Sequence, residues 1–311
     1  MKKLYFTIAF ALMILVSVNA QQDPQYTQYM YNMNVVNPAY AGSKDNLAVG
    51  LLYRSQWVSV NDAPKTATLS IHSPTGKKVG LGLSVISDQI GPVEENNVYA
   101  DFSYTLNLGG EHRLALGLKA GATIQSVGFF SDIGNGYVTD ANDEAFSENT
   151  NNTNLNIGSG FFYYTDKYYV SFSVPNMLKN TYLNVTNNGQ EYKYGTDVLH
   201  YFLSAGYVFN LSENTKFKPS FLMKSAFNAP TSLDVSANVL FFDRFELGAT
   251  YRVDDSFGGM ANFAITPGLR IGYAYDYVTS ELNTKTSGSH EVMLLFDLNF
   301  PKKVSISPRF F

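Results

Sequence analysis

Over residues 245–254 the sequence alternates apolar and polar residues without a break. Successive side chains of an extended chain point to opposite faces. Phe245, Leu247, Ala249, Tyr251 and Val253 therefore share one face, and Glu246, Gly248, Thr250, Arg252 and Asp254 the other. Residues 269–277 repeat the pattern, with Leu269, Ile271, Tyr273, Tyr275 and Tyr277 set against Arg270, Gly272, Ala274 and Asp276. A period of two residues argues for strands. Runs of this kind predict fourteen strands, near 46–59, 64–73, 77–88, 93–108, 112–127, 153–165, 167–174, 196–210, 214–227, 231–241, 244–254, 256–266, 268–278 and 288–300.

Alternation fits a soluble sandwich as well as a barrel, and composition separates the two. The chain holds 23 Phe and 22 Tyr against one Trp, and charged residues make up 15%, well below the roughly 25% of an ordinary soluble domain. A sandwich has no use for long tyrosine-rich faces at strand ends, whereas a membrane barrel uses them as interfacial girdles. The opposite face is small and polar, as a lumen requires: Gly80, Gly82 and Ser84 on one strand, and Arg113, Ala115, Gly117, Lys119, Gly121 and Thr123 on another. The expected fold is all-β, a transmembrane antiparallel up-and-down β-barrel of about 14 strands.

Connection lengths point the same way. Every second connection is short, at 74–76, 109–111, 165–167, 211–213, 242–244 and 266–268. The intervening ones include the long loops 128–152, 175–195 and 279–287. Barrels of this kind have short periplasmic turns and longer external loops, so both termini are expected in the periplasm. The division expected is a signal peptide over 1–20, an N-terminal periplasmic segment over 21–45, the barrel over 46–300 and a periplasmic tail over 301–311.

The signal peptide is read from Lys2 and Lys3, the apolar run 4–18, and the small-residue site Val18-Asn19-Ala20, which makes Gln21 the mature start. No later run approaches the roughly 18 apolar residues of a helical span. With no cysteine in the chain, a lipid anchor at the junction, disulfides, thiol catalysis and cysteine metal sites are excluded. A net charge of −4 offers no basic footprint for nucleic acid.

Residues that commonly carry chemistry form no recognisable set. His72, His112, His200 and His290 stand in neither HExxH nor any other ligand-like spacing, and no Ser-His arrangement is singled out. No enzyme activity, cofactor or metal is expected. The loop 131–153 is acidic and rich in Asn, and Asp140, Asn142, Asp143 and Glu144 offer oxygens to Ca²⁺. It departs from EF-hand spacing, and a solvated external loop is the simpler reading. Charged residues on the inward faces are Arg54, Asp101, Lys119, Glu246, Arg252, Asp276 and Asp297. Inside a barrel they must pair or line water, as a structural network or a substrate-selecting constriction. Arg252 is expected to pair with Glu246 or Asp276.

Two stretches fall outside the alternation. Residues 26–43, YTQYMYNMNVVNPAYAGS, are dense in Tyr, Asn and Met and broken by Asn37-Pro38. A residue before proline is pushed out of the helical region. The stretch reads either as an ordered leader covering the first strand or as a recognition segment. The tail 301–311 is basic and ends on Phe310 and Phe311, leaving Phe300 to close the last strand.

These features in order resemble the PorP/SprF family of type IX secretion system membrane proteins. Residues 26–43 are similar to its N-terminal signature. Tyr53-Arg54-Ser55-Gln56-Trp57 follows, then Pro64 before a Thr/Ser-rich strand ending Ser70-Ile71-His72-Ser73-Pro74, then Gly80-x-Gly82 and Asp88-x-x-Gly91-Pro92. Ser307-Pro308-Arg309-Phe310-Phe311 resembles the family's terminal motif, with Phe in place of Tyr. The resemblance implies a non-enzymatic outer-membrane barrel that works with the periplasmic ring components of the type IX apparatus. It also implies a partner, a secreted surface protein with a type IX C-terminal domain such as a gliding adhesin, which the barrel helps to deliver or hold. Carried onto this sequence, the partner-binding candidates are Tyr26, Gln28, Tyr29, Asn37, Pro38, Tyr40, Gly42, Arg54, Gln56, Trp57, Pro308, Arg309, Phe310 and Phe311. A 14-stranded barrel is too narrow for a folded adhesin, which favours an adaptor over a translocating pore. The competing reading is a diffusion channel or hydrophobic-solute transporter.

Overall fold

The computed structural model describes residues 24–128, 150–178, 181–187, 190–196, 199–226 and 231–298. Its strands are β1 (Leu47–Ser55), β2 (Lys65–Pro74), β3 (Val79–Ile90), β4 (Val93–Gly109), β5 (His112–Val127), β6 (Thr150–Tyr164), β7 (Tyr168–Val174), β8 (Thr181–Asn187), β9 (Gln190–Thr196), β10 (His200–Tyr207), β11 (Phe209–Ser212), β12 (Thr215–Ala226), β13 (Ser232–Phe241), β14 (Phe245–Arg252), β15 (Ser256–Thr266), β16 (Leu269–Val278) and β17 (Ser289–Leu298). The wall strands pair antiparallel with their neighbours, and β1 pairs with β17 to close the sheet. β10 pairs with β7 on one side and β12 on the other, and β11 continues β10 along β12. β10 and β11 thus form one wall strand, and the barrel has fourteen. β8 and β9 form a separate hairpin in the connection expected as a plain loop over 175–195. Its alternation is brief, with Leu183 and Val185 in β8 and Tyr192 and Tyr194 in β9 set among Asn, Thr, Lys and Gly, and two apolar positions per strand are a weaker signal than the longer runs of the wall.

The alternation gives the wall its two solvents. Leu155, Leu118 and Phe257 are 73%, 62% and 56% exposed on the outer face. In water each would forgo about 1.5–3 kcal/mol available from burial; facing lipid, none does. Aromatic residues gather at both rims. Tyr163, Tyr168, Tyr207, Phe209 and Phe217 neighbour one another at the rim of short turns. Tyr251 stacks on Phe257 at 4.6 Å near the rim of longer loops, close to where β14 ends and β15 begins. One short turn shows how sequence and twist meet. Phe242 and Asp243 adopt φ of 52° and 55°, and Arg244 N–H donates to the Phe241 carbonyl at 2.9 Å. Two positive φ values make a turn whose twist matches the strands it joins.

The buried apolar cluster lies inside the cylinder. Tyr26, Tyr29, Met30, Met33, Val35, Val36, Ala39 and Tyr40 pack there against wall residues that include Leu52, Tyr99, Phe162, Tyr169 and Met260. The lumen is therefore filled by the segment that precedes β1.

Candidate functional site

The lumen segment folds as three short turns: a 3-10 turn at Tyr29–Tyr31, one helical turn at Met33–Val36, and a second 3-10 turn at Pro38–Tyr40. Asn37 separates the last two. It is extended (φ −136°, ψ 115°), as a residue before proline must be, and its Oδ1 accepts the Ala39 N–H at 2.9 Å. Pro38 takes the first helical position, where no N–H is needed. The sequence thus breaks the chain where it has to turn inside a closed space.

The segment crosses the lumen from one rim to the other. Near the loop rim, Thr27 N–H and Gln28 N–H donate to the two oxygens of Glu291 at 2.9 and 2.8 Å. The Thr27 hydroxyl donates to Asp276 at 2.6 Å and accepts from Arg54 Nη1 at 2.8 Å. These partners stand close to the ends of β1, β16 and β17 that meet the longer loops. At the turn rim, Lys44 Nζ lies 3.2 Å from Asp297. Between the two, wall side chains satisfy the segment's backbone. Lys119 Nζ donates to the Val35 carbonyl at 3.0 Å and Ser173 to the Val36 carbonyl at 2.8 Å. Asn34 Nδ2 donates to Asp101 at 3.2 Å, and Asn37 Nδ2 to Ser171 at 2.7 Å. Glycines on the wall make room: a side chain at Gly117 would overlap the Ala39 backbone, and one at Gly80 the Ala41 carbonyl.

Most of the inward charges lie against an opposite charge. Arg54 sits 2.7 Å from Asp276 and 3.3 Å from Glu291. Lys119 faces Asp101 at 3.5 Å, and Lys218 faces Glu246 at 2.9 Å. Glu246 also accepts the Tyr31 hydroxyl at 2.5 Å. Removing either partner of such a pair leaves an uncompensated buried charge.

The sequence matches the family model described as type IX secretion system membrane protein PorP/SprF over residues 18–296. This chain belongs to the PorP/SprF family. No curated protein sequence matches it. Among solved structures it is similar to the CymD monoaromatic hydrocarbon channel, at 13% identity over 86% of this chain and 92% of that one, with a TM-score of 0.50. It is also similar to the outer membrane protein Omp33 of Acinetobacter baumannii, at 12% identity over 82% and 99% of the two chains and a TM-score of 0.46. A FadL homologue of Pseudomonas aeruginosa matches at 12% identity over 85% and 93%, with a TM-score of 0.48. At these identities the likeness concerns the barrel alone. As a PorP/SprF barrel the chain is an outer-membrane protein tied to the type IX secretion system.

The residues singled out from the PorP/SprF signature are brought together, but indoors. Tyr26, Gln28, Tyr29, Asn37, Pro38 and Tyr40 are buried in the lumen, Gly42 is half-buried, and Arg54 is 1% exposed. Gln56 and Trp57 follow β1 at the loop rim, where Trp57 N–H donates to Ser289 at 3.1 Å. Pro308, Arg309, Phe310 and Phe311 lie outside the described residues, as do the expected signal peptide, Phe300, and Asp140, Asn142, Asp143 and Glu144. Asp101, Lys119, Glu246, Arg252, Asp276 and Asp297 face the lumen, spread along it rather than gathered at a constriction.

The expected partner of Arg252 is corrected. It binds Asp234 with two hydrogen bonds, at 2.9 and 2.8 Å, and lies 3.2 Å from Asp255. Asp234 stands opposite Arg252 in the β13–β14 register. Glu246 lies near the other end of β14, and Asp276 is held by Arg54. Lys44, Lys218, Asp234 and Glu291 complete the pairs. The last three lie on the inward parity of their strands, and counting it would have found them.

The histidines have structural places. His72 accepts the Gly42 N–H at 3.2 Å and meets the Tyr40 ring edge-on, and His200 is buried. On the outer face His112 bonds Tyr163 and His290 bonds Tyr273, each at 2.6 Å. Among the described residues, no group of three or more His, Asp or Glu is placed to hold a metal.

Proposed function

We propose that this barrel is a non-enzymatic adaptor or anchor of the type IX secretion system. It helps to secrete or retain a partner surface protein with a type IX C-terminal domain, of which a gliding adhesin is an example, and contacts the periplasmic secretion apparatus. The observation that supports this reading over a diffusion channel is the occupied lumen. Residues 26–43 fill the bore; their polar groups are bound at the loop rim and to the wall, and the adjoining Lys44 ties the segment to the turn rim. A conducting pore would have to break those bonds. In this reading the lumen segment stabilises the barrel from within, and Trp57 and the tail residues Pro308, Arg309, Phe310 and Phe311 are the contact candidates.

The test is affinity isolation of the full chain from detergent-solubilised outer membrane, paired with planar-bilayer recording of the purified protein. Recovery of one surface protein carrying a type IX C-terminal domain, or of periplasmic ring components, with silent bilayers, supports the adaptor. A partner-free barrel with steady conductance would move the assignment to a channel or hydrophobic-solute transporter. Under the adaptor reading, removing 304–311 should lower partner recovery while the barrel still folds.

A further inference from the structure

The rim of short turns carries a cavity of about 450 Å³. Four charged side chains line it: Asp243, Arg244, Arg270 and Asp297, with Pro267 and Leu269 as apolar walls. The two acids already have cations of their own. Asp243 lies 2.6 Å from Lys216, and Asp297 lies 3.2 Å from Lys44. The two arginines have no such partner in contact, and Arg270 feels Glu246 only at longer range. Among the described residues neither guanidinium lies within ion-pair distance of a carboxylate. Arg244 reaches only the Ile265 carbonyl, at 3.5 Å, and the face of the Phe263 ring. Arg270 Nη1 is shut off from solvent with no hydrogen-bond partner.

A buried donor without a partner is costly, and a guanidinium presents a fork that matches a carboxylate. Two such forks in one cavity, with the local acids engaged elsewhere, form a receptor lacking its anion. We propose that this cavity binds carboxylate side chains of an acidic peptide segment, with Arg270 as the inner anchor and Arg244 as the outer one. The proposal rests on the adaptor reading above, in which a protein partner approaches this rim. The two coplanar oxygens of a carboxylate match the planar fork of each guanidinium, and free phosphate is the competing anion that the test includes. The apolar walls and the volume accommodate a peptide backbone around the anchor.

The test uses the full chain, purified in detergent, and a fluorescein-labelled amidated hexapeptide of alternating glycine and glutamate. Saturable anisotropy is expected for the unaltered protein. Arg270→Gln and Arg244→Gln should each weaken binding about tenfold or more, as loss of a charge-assisted pair does. Arg270→Lys should recover only part of it, since an ammonium lacks the fork. Arg113→Gln, on the same rim beside the Tyr164 ring, should bind as the unaltered protein does. Arg244 is exposed on a turn, so its variant reports even if Arg270→Gln fails to fold. Absence of binding, equal loss with Arg113→Gln, or displacement by an equal concentration of inorganic phosphate would each overturn the proposal. Partner isolation with the Arg244→Gln/Arg270→Gln variant separates the two readings. If recovery is unchanged, the adaptor survives without this site; if the unaltered protein recovers no partner, the adaptor reading itself fails.

Discussion

Arg54 on β1 and Asp276 on β16 meet at 2.7 Å across the intervening strand β17, and both are closed off from solvent. Glu291 of β17 joins them, and the Thr27 hydroxyl lies within hydrogen-bond reach of both Arg54 and Asp276. The wall's seam and the lumen segment are thereby tied at one point. Arg54→Ala should leave two buried carboxylates unpaired and destabilise the protein by about 3–5 kcal/mol. Urea unfolding in detergent micelles, followed by the folded-barrel shift on gels, measures it.

Thr27→Val keeps the shape and deletes the hydroxyl. The lost bonds to Arg54 and Asp276 should cost about 1–3 kcal/mol, most of it spent loosening the segment rather than the wall. Limited proteolysis should then cut within 24–43 faster than in the unaltered protein, with the wall unaffected.

Gly117→Val sets two local rules against each other. Valine suits a wall strand, but its Cβ would overlap the Ala39 backbone. Overpacking of this kind costs about 1–3 kcal/mol, so the barrel should form with the segment displaced. Planar bilayers should show a higher conductance than with the unaltered protein. A silent, fully folded Gly117→Val barrel would contradict the close fit.

Arg252→Lys should destabilise nearly as much as Arg252→Ala. The two hydrogen bonds to Asp234 need the planar fork, and a loss of about 3 kcal/mol or more is expected when a buried partner is orphaned. Glu246→Ala should be additive with it, because the two sites share no partner. Thermal unfolding of the single and double variants decides this.

The absence of cysteine makes sidedness measurable. Ser59→Cys, on the loop after β1, should react with a membrane-impermeant maleimide on intact cells. Gly110→Cys, in a short turn, should react only after the outer membrane is opened. The reverse pattern would invert the expected orientation.

The wall was legible because its signal is local. Each run such as 245–254 carries its own alternation, and the same residues that face lipid in the barrel, Leu247 and Tyr251 among them, are the apolar ones in the row. Inward parity likewise identified Asp101, Lys119 and Arg252 as lumen charges. Parity reports a face and not a neighbour: it offers Arg252 the inward carboxylates Glu246 and Asp276, whereas the strand register supplies Asp234.

The strands, their two faces and the family signature can be read from the residue order, because each is written within a short stretch. What fills the barrel depends on how the strands come together in space. Residues 26–43 could cover a strand or meet a partner as far as their own pattern goes. Closure of the wall brings Glu291, Asp276, Lys119, Ser173 and Gly117 around them. That enclosure is a property of strands far apart in the chain, and the hydrogen bonds that hold the segment exist only once the seam is shut.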